Sequence, residues 1–163
     1  MLARLDNRLL YAMRTRFHGP RTEAVMKALG RAGNNGAIWF AIGIALALID
    51  SGDRREWLHV ALLGPLAIVL NFLVKVVVRR RRPVLEGLPP LGGAPSSLSF
   101  PSAHATSSFA VATAATRIAP EAAVLFALAV LLSIGRPYLG MHYPSDVLAG
   151  AALGVGLGLV VPL

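Results

Sequence analysis

The chain has 163 residues, 55% of them hydrophobic and only 15% charged, with a formal net charge of +8 and no cysteine. A soluble domain needs a polar shell that this composition does not supply, so a single membrane-embedded domain is expected over residues 1–163. Disulfides and thiolate metal sites are excluded, and a basic balance on so apolar a chain favours anionic head groups or phosphorylated lipids over nucleic acid.

In residues 1–17, Leu2, Leu5, Leu9, Met13 and Phe17 recur at three- or four-residue spacing, while Arg4, Arg8, Arg14 and Arg16 mostly take the other face. That pattern predicts a helix lying in the membrane interface. The same arginines interrupt any continuous apolar stretch, so a cleavable secretory signal is not expected. After a break at Gly19-Pro20, residues 21–32 predict a second short amphipathic helix, with Val25, Met26 and Leu29 on its apolar side. Pro20 suits its first turn.

Five hydrophobic segments follow, at 36–49, 57–78, 103–116, 121–134 and 147–161. They predict five spanning helices, several of them shorter than the roughly 20 residues that cross hydrocarbon, with ends extending into the flanking polar residues. The expected fold class is therefore an all-α integral membrane bundle over 36–161, preceded by two interfacial helices within 1–32. The connections at 50–56 and 117–120 are short enough for antiparallel hairpins. Residues 79–100 form one long loop rich in Pro, Gly and Ser, without expected regular structure.

Counting spans by parity places the N-terminal helices and the loops at 79–100 and 135–145 on one face. That face receives thirteen of the sixteen basic residues, and only Arg54, Arg55 and Arg117 lie opposite. The excess of Lys and Arg on cytoplasmic loops predicts that the first face is cytoplasmic.

Three polar clusters fall on that face. The first runs from Lys75 through Arg79–Arg82 to Pro83; a lysine one turn inside a membrane helix is costly without a partner, and so points to function. Arg79, Arg80 and Arg81 read more simply as an anchor that stops transfer. The second, Ser99-Phe-Pro-Ser102-Ala103-His104, opens the third span, where free amides and the positive helix end can hold an anion. Ser102 either bonds a phosphate oxygen or caps the helix. The third runs from Arg136 to His142 and Asp146, whose four-residue spacing lets the carboxylate sit beneath the imidazole, or cap the following helix.

Lys75 with Arg82-Pro83, Pro101-Ser102-Ala103-His104, and Arg136 with His142 and Asp146, in that order and spacing, resemble the three-part signature of the type-2 phosphatidic acid phosphatases. The resemblance covers residues 75–150 and the layout of spans. Ala103 departs from a usual glycine, and Gly135 from a common serine before the arginine. The resemblance implies a lipid phosphatase acting on a phosphate monoester without metal or other cofactor. His142 is then the nucleophile that becomes a phosphohistidine, Asp146 orients it, and His104 serves as acid and then base. Lys75, Arg82, Arg136 and the amides near Ser102 and Ala103 hold the phosphate. Within this family, the stretches 98–107 and 139–146 are most similar to the decaprenylphosphoryl-5-phosphoribose phosphatases of arabinan precursor synthesis, which implies a polyprenyl-linked substrate in a bacterial inner membrane. Phosphatidic acid, phosphatidylglycerol phosphate and undecaprenyl pyrophosphate are the competing substrates. A catalytically silent lipid-binding scaffold is the competing class.

Overall fold

The computed structural model describes residues 2–16, 18–91 and 98–163, and its regular structure is entirely helical there. Helix α1 spans Leu2–Thr15 and α2 spans Pro20–Ala32, with Pro20 in the first turn. A short 3-10 turn, Asn34–Gly36, leads into α3, Ala37–Ile49. Then come α4, Arg54–Val78, and α5, Ala103–Ile118. A second 3-10 turn, Pro120–Val124, precedes α6, Leu125–Tyr138, and α7 closes the bundle at Pro144–Val160. Phe17 of the apolar stripe and residues 92–97 of the long loop lie outside the described residues.

The core is built around α5, which packs against α4, α6 and α7. Nearly every residue of α5 from His104 to Ala115 is buried, including Thr106, Ser107 and Ser108. Several of its hydroxyls have partners: Thr106 Oγ1 donates to Ser102 O at 3.0 Å, and the Ser108 hydroxyl accepts the Trp39 indole N–H at 2.9 Å, while Thr113 Oγ1 is buried without one. A helix so enclosed need not be apolar all round, because protein surrounds it. Its packing against α7 depends on Gly150, Gly154 and Gly158, one per turn. A Cβ added at Gly150 would approach Ser102 O, at the N-cap of α5, to 2.6 Å, one at Gly158 would approach Ala110 O to 2.5 Å, and one at Gly154 would collide with Thr106 O. Small residues at every fourth position let two helix backbones meet this closely in a membrane.

The five-span expectation is met in part. Two segments, Arg54–Val78 and Pro120–Tyr138, are long and apolar enough to cross a membrane; α2 and the helix after it make a third if taken as one span bent by 55°. Helix α7 is apolar but has only 17 residues. Exposed Leu62, Leu66, Val69, Phe72, Leu73, Val76 and Val77 cover the outside of α4, as a lipid-facing surface requires.

Helix α1 has two faces at work. Leu5 and Leu9 of the expected stripe are exposed, whereas Asp6, Leu10 and Arg14, at i, i+4 and i+8, are buried against the bundle. Arg14, expected on the solvated face, instead donates to Pro89 O at 2.7 Å and Tyr138 O at 3.4 Å, tying the long loop and the end of α6 to α1. Arg117 marks the opposite end of the bundle, where it donates to Gly158 O and Val161 O at the end of α7.

Candidate active site

The end of α4, the start of α5, the end of α6 and the start of α7 meet at one end of the bundle. There they enclose a cavity of about 230 Å³ lined by Lys75, Arg82, Ala103, His104, Arg136 and His142, together with Asn34, Asn35, Ile68, Asn71 and Phe72. Six of the eight residues expected from the sequence thus share one cavity, and Ser102 and Asp146 stand behind its wall. Arg136, expected in a loop, is in the last turn of α6, which continues to Tyr138 with Pro137 inside it.

His142 is 2% exposed, between α6 and α7. Its Nε2 lies 3.2 Å from Arg82 Nη1, and its Nδ1 lies 3.6 Å from Asp146 Oδ2. A guanidinium can only donate, so Nε2 is the lone-pair nitrogen and the ring proton belongs on Nδ1, facing the carboxylate. Burial first, then the positive charges of Arg82, Arg136 and Lys75, hold the imidazole down to about 3 against the opposing pull of Asp146. This environment keeps the ring neutral, with a lone pair on Nε2.

Asp146 is fully buried in the first turn of α7. Its Oδ2 accepts the Tyr143 amide at 2.8 Å and its Oδ1 accepts from Arg80 Nη1 at 2.8 Å. The two alternatives left by the sequence, cap and orienting carboxylate, are therefore geometrically compatible in one side chain. Ser102 caps α5: its hydroxyl accepts the Ala105 amide at 3.5 Å, which leaves its O–H free of that bond, and its own amide donates to Asp146 O at 2.9 Å. The amides of Ala103 and His104 are then the ones that a helix start leaves without an intrahelical acceptor.

The positive groups converge differently. Lys75 Nζ donates to Leu98 O at 2.6 Å and Arg82 Nη1 to Met141 O at 2.5 Å. Arg136 is 5% exposed and its Nε is buried without a hydrogen-bond partner. Burying a guanidinium in this way is costly unless an anion completes it. His104 Nε2 lies 2.9 Å from Gly30 O, and since a carbonyl only accepts, Nε2 carries a proton and Nδ1 is the nitrogen left to exchange one.

Two polar residues were missed in the sequence. Asn71 is fully buried one turn before Lys75, on the same face of α4, and donates to Thr106 Oγ1 at 2.9 Å and Pro101 O at 3.3 Å. An amide inside an apolar span, four residues before an intramembrane lysine, was the available signal. Arg80 corrects the anchor reading. It forks between Asp146 Oδ1 and Asp6 Oδ2, both at 2.8 Å, donates to Ser145 Oγ at 2.7 Å, and lies 4.1 Å over the Tyr143 ring. Asp6 in turn accepts the Ser145 amide at 3.0 Å and its hydroxyl at 2.5 Å. Helix α1 is thereby bonded to the carboxylate behind His142. If Asp146 orients His142, Arg80→Ala should lower phosphatase kcat by about 10–10²-fold, as loss of an outer hydrogen-bonding partner does. Arg80→Lys, which lacks the planar fork, should restore it only in part, as steady-state rates on both variants would show.

The PAP2 superfamily model matches residues 56–163, which contain all of the expected site. The chain belongs to the PAP2 superfamily. Decaprenylphosphoryl-5-phosphoribose phosphatase of Mycolicibacterium smegmatis is 41% identical to this PAP2 chain over 126 residues, 76% of this chain and 68% of that protein. The protein of the same name from Mycobacterium tuberculosis is 36% identical over 142 residues, 87% and 80% of the two chains. Among solved structures, the transmembrane PAP2-type phosphatidylglycerolphosphate phosphatase of Bacillus subtilis superposes with a TM-score of 0.76 at 25% identity, covering 98% of this chain and 83% of that one. This PAP2 protein is a phosphoric monoester hydrolase, an integral membrane enzyme of lipid-phosphate hydrolysis. The two departures from the family pattern both sit at the site end. Ala103 lines the cavity, and a Cβ at Gly135 would come no closer than 3.4 Å to Met26 Sδ, an ordinary contact.

Proposed function

We propose that this PAP2 enzyme removes the phosphate monoester from a polyprenyl-linked sugar phosphate, decaprenylphosphoryl-5-phosphoribose or a close analogue, through a phosphohistidine on His142 and without metal. The reading is carried by one arrangement: a lone-pair nitrogen on His142, held between Arg82 and Asp146, opening on a cavity with three cationic side chains. Similarity to the two mycobacterial enzymes over three quarters or more of the chain supports the substrate.

In the first step His142 Nε2 attacks phosphorus, the bond from phosphorus to the sugar oxygen breaks, and that oxygen takes the Nδ1 proton of a doubly protonated His104, whose Nε2–H stays on Gly30 O. Asp146 stabilises the positive ring that forms. In the second step His104 takes a proton from water, the water oxygen attacks phosphorus, and the P–N bond breaks to give orthophosphate and neutral His142. Lys75, Arg82, Arg136 and the amides of Ala103 and His104 offset the charge on the transferring phosphoryl group. Purified enzyme should release phosphate fastest from the polyprenyl phosphoribose in a panel that includes phosphatidic acid, phosphatidylglycerol phosphate and undecaprenyl pyrophosphate. Saturating EDTA should change that rate less than about twofold. A chelator-abolished rate, or a preference for the pyrophosphate, would count against the reading.

The site end faces the cytoplasm of a bacterial inner membrane in this account, with α3, α4, α5, the Pro120–Tyr138 segment and α7 crossing five times. The clustering of α1, α2 and the arginines of residues 79–82 at the site end supports this orientation, as does the position of Arg117 at the other. A periplasm-dependent phosphatase reporter fused after Leu163 should be active; a cytoplasmic reporter active at that position would contradict five crossings.

A further inference from the structure

A second cavity, of about 180 Å³, adjoins the first. It is lined by Lys27, Arg31, Leu91, Leu139 and Met141, and shares Asn34 and Arg136 with the cavity that holds His142. Lys27 and Arg31 are four residues apart, so both project from one face of α2, and Gly30 lies between them. A Cβ on Gly30 would come within 3.0 Å of Arg136 Nη1, so this guanidinium lies against the α2 backbone where the two cavities join. Three cations therefore bound a pocket with no acidic side chain among the described residues that line it; Glu23 lies 3.5 Å from Lys27 on the preceding turn. The reaction at His142 uses neither Lys27 nor Arg31.

We propose that this cavity binds a second, non-scissile phosphate of the same substrate: the diester that joins the polyprenyl chain to the sugar. The inference rests on the substrate reading above. A polyprenyl phosphoribose carries two phosphates a pentose apart, and two joined cationic cavities that share Arg136 match that chemistry. The monoester enters beside His142, while Lys27 and Arg31 hold the diester against the apolar Leu91, Leu139 and Met141. Arg136, with its partnerless buried Nε, touches both groups. An anionic head group from the bilayer offers the same phosphate diester chemistry, so the test must separate the two sources.

The test compares full-length enzyme with Lys27→Ala/Arg31→Ala in neutral detergent, using a short-chain polyprenyl phosphoribose 5-phosphate and phosphatidic acid, which carries one phosphate. The loss in kcat/KM on the two-phosphate substrate should exceed the loss on phosphatidic acid at least tenfold, mainly in KM, with Arg31→Lys recovering most of it. Equal losses on the two substrates overturn the inference. A differential loss confined to phosphatidylglycerol vesicles, and missing in detergent and phosphatidylcholine, also overturns it by assigning the site to bilayer lipid. Wild-type enzyme that cleaves phosphatidic acid but not the two-phosphate substrate overturns the substrate reading itself, and the inference with it.

Discussion

His142→Ala should lower phosphate release from the lipid substrate by on the order of 10⁴-fold or more, leaving a folded protein with its thermal midpoint nearly unchanged. The size of the loss follows from the step removed: without a nucleophile the reaction needs direct attack by water, and charge stabilisation by the remaining groups cannot replace the covalent path. Stability should hold because the ring contributes little to it. Its Nδ1 has no hydrogen bond within normal length, and its Nε2 contact is with a guanidinium that also bonds Met141 O. The substituted chain keeps the three cations of the cavity, so it should still bind lipid phosphate. Measured turnover, together with retained binding of a non-hydrolysable phosphonate analogue, checks both halves of the prediction.

Asp146→Asn should cost about 10³–10⁴-fold in kcat, as loss of a carboxylate that sets a histidine tautomer does. The reason is a count of donors. The two oxygens of Asp146 accept from Arg80 Nη1 and the Tyr143 amide and face His142 Nδ1 at 3.6 Å, and all three are N–H groups when Nε2 of His142 holds the lone pair. An asparagine offers one acceptor and brings an NH₂ of its own, so either orientation of the amide sets donor against donor. One orientation turns the NH₂ toward Arg80 and loosens α1; the other turns it toward Tyr143 and His142, favouring the wrong ring tautomer. Stability should fall as well, by about 1–3 kcal/mol, because a fully buried donor is left unsatisfied. Turnover measured well below the variant's lower melting temperature separates the catalytic loss from unfolding. A variant that loses stability but keeps near-normal kcat would show Asp146 to be a helix cap only.

The fold and much of the site were legible in the sequence because membrane chains separate their chemistry from their packing. Ionisable groups are expensive in hydrocarbon, so Lys75, His104, Arg136 and Asp146 stood out against apolar surroundings, and their shared parity put them at one end. Where polarity is spent on structure, the same logic misleads. Arg80 is one of four consecutive arginines, and nothing in the run distinguishes the one that reaches Asp6 and Asp146 from its exposed neighbours Arg79 and Arg81. In α1 the regular leucine spacing marked Leu5 and Leu9 as an apolar face, but the bundle buries the stripe containing Asp6, Leu10 and Arg14. A periodic pattern locates a face; it does not say whether lipid or protein covers it. Helix α5 illustrates the converse, since its hydroxyls and alanines look weakly membrane-like until the fold encloses it between α4, α6 and α7, with Trp39 of α3 and Asn71 of α4 bonding Ser108 and Thr106. The glycines at 150, 154 and 158 were a readable sign of that enclosure.

The central claim, a covalent phosphate on His142, is open to direct capture. Enzyme mixed with a stoichiometric amount of lipid phosphate, quenched in alkali within one turnover and digested for mass spectrometry, should carry phosphate on the peptide containing His142. The His104→Asn variant should hold it longer, because the water that cleaves the P–N bond then lacks its base. A complete turnover with no phosphopeptide at any time in either variant, or with phosphate on another residue, would contradict the account.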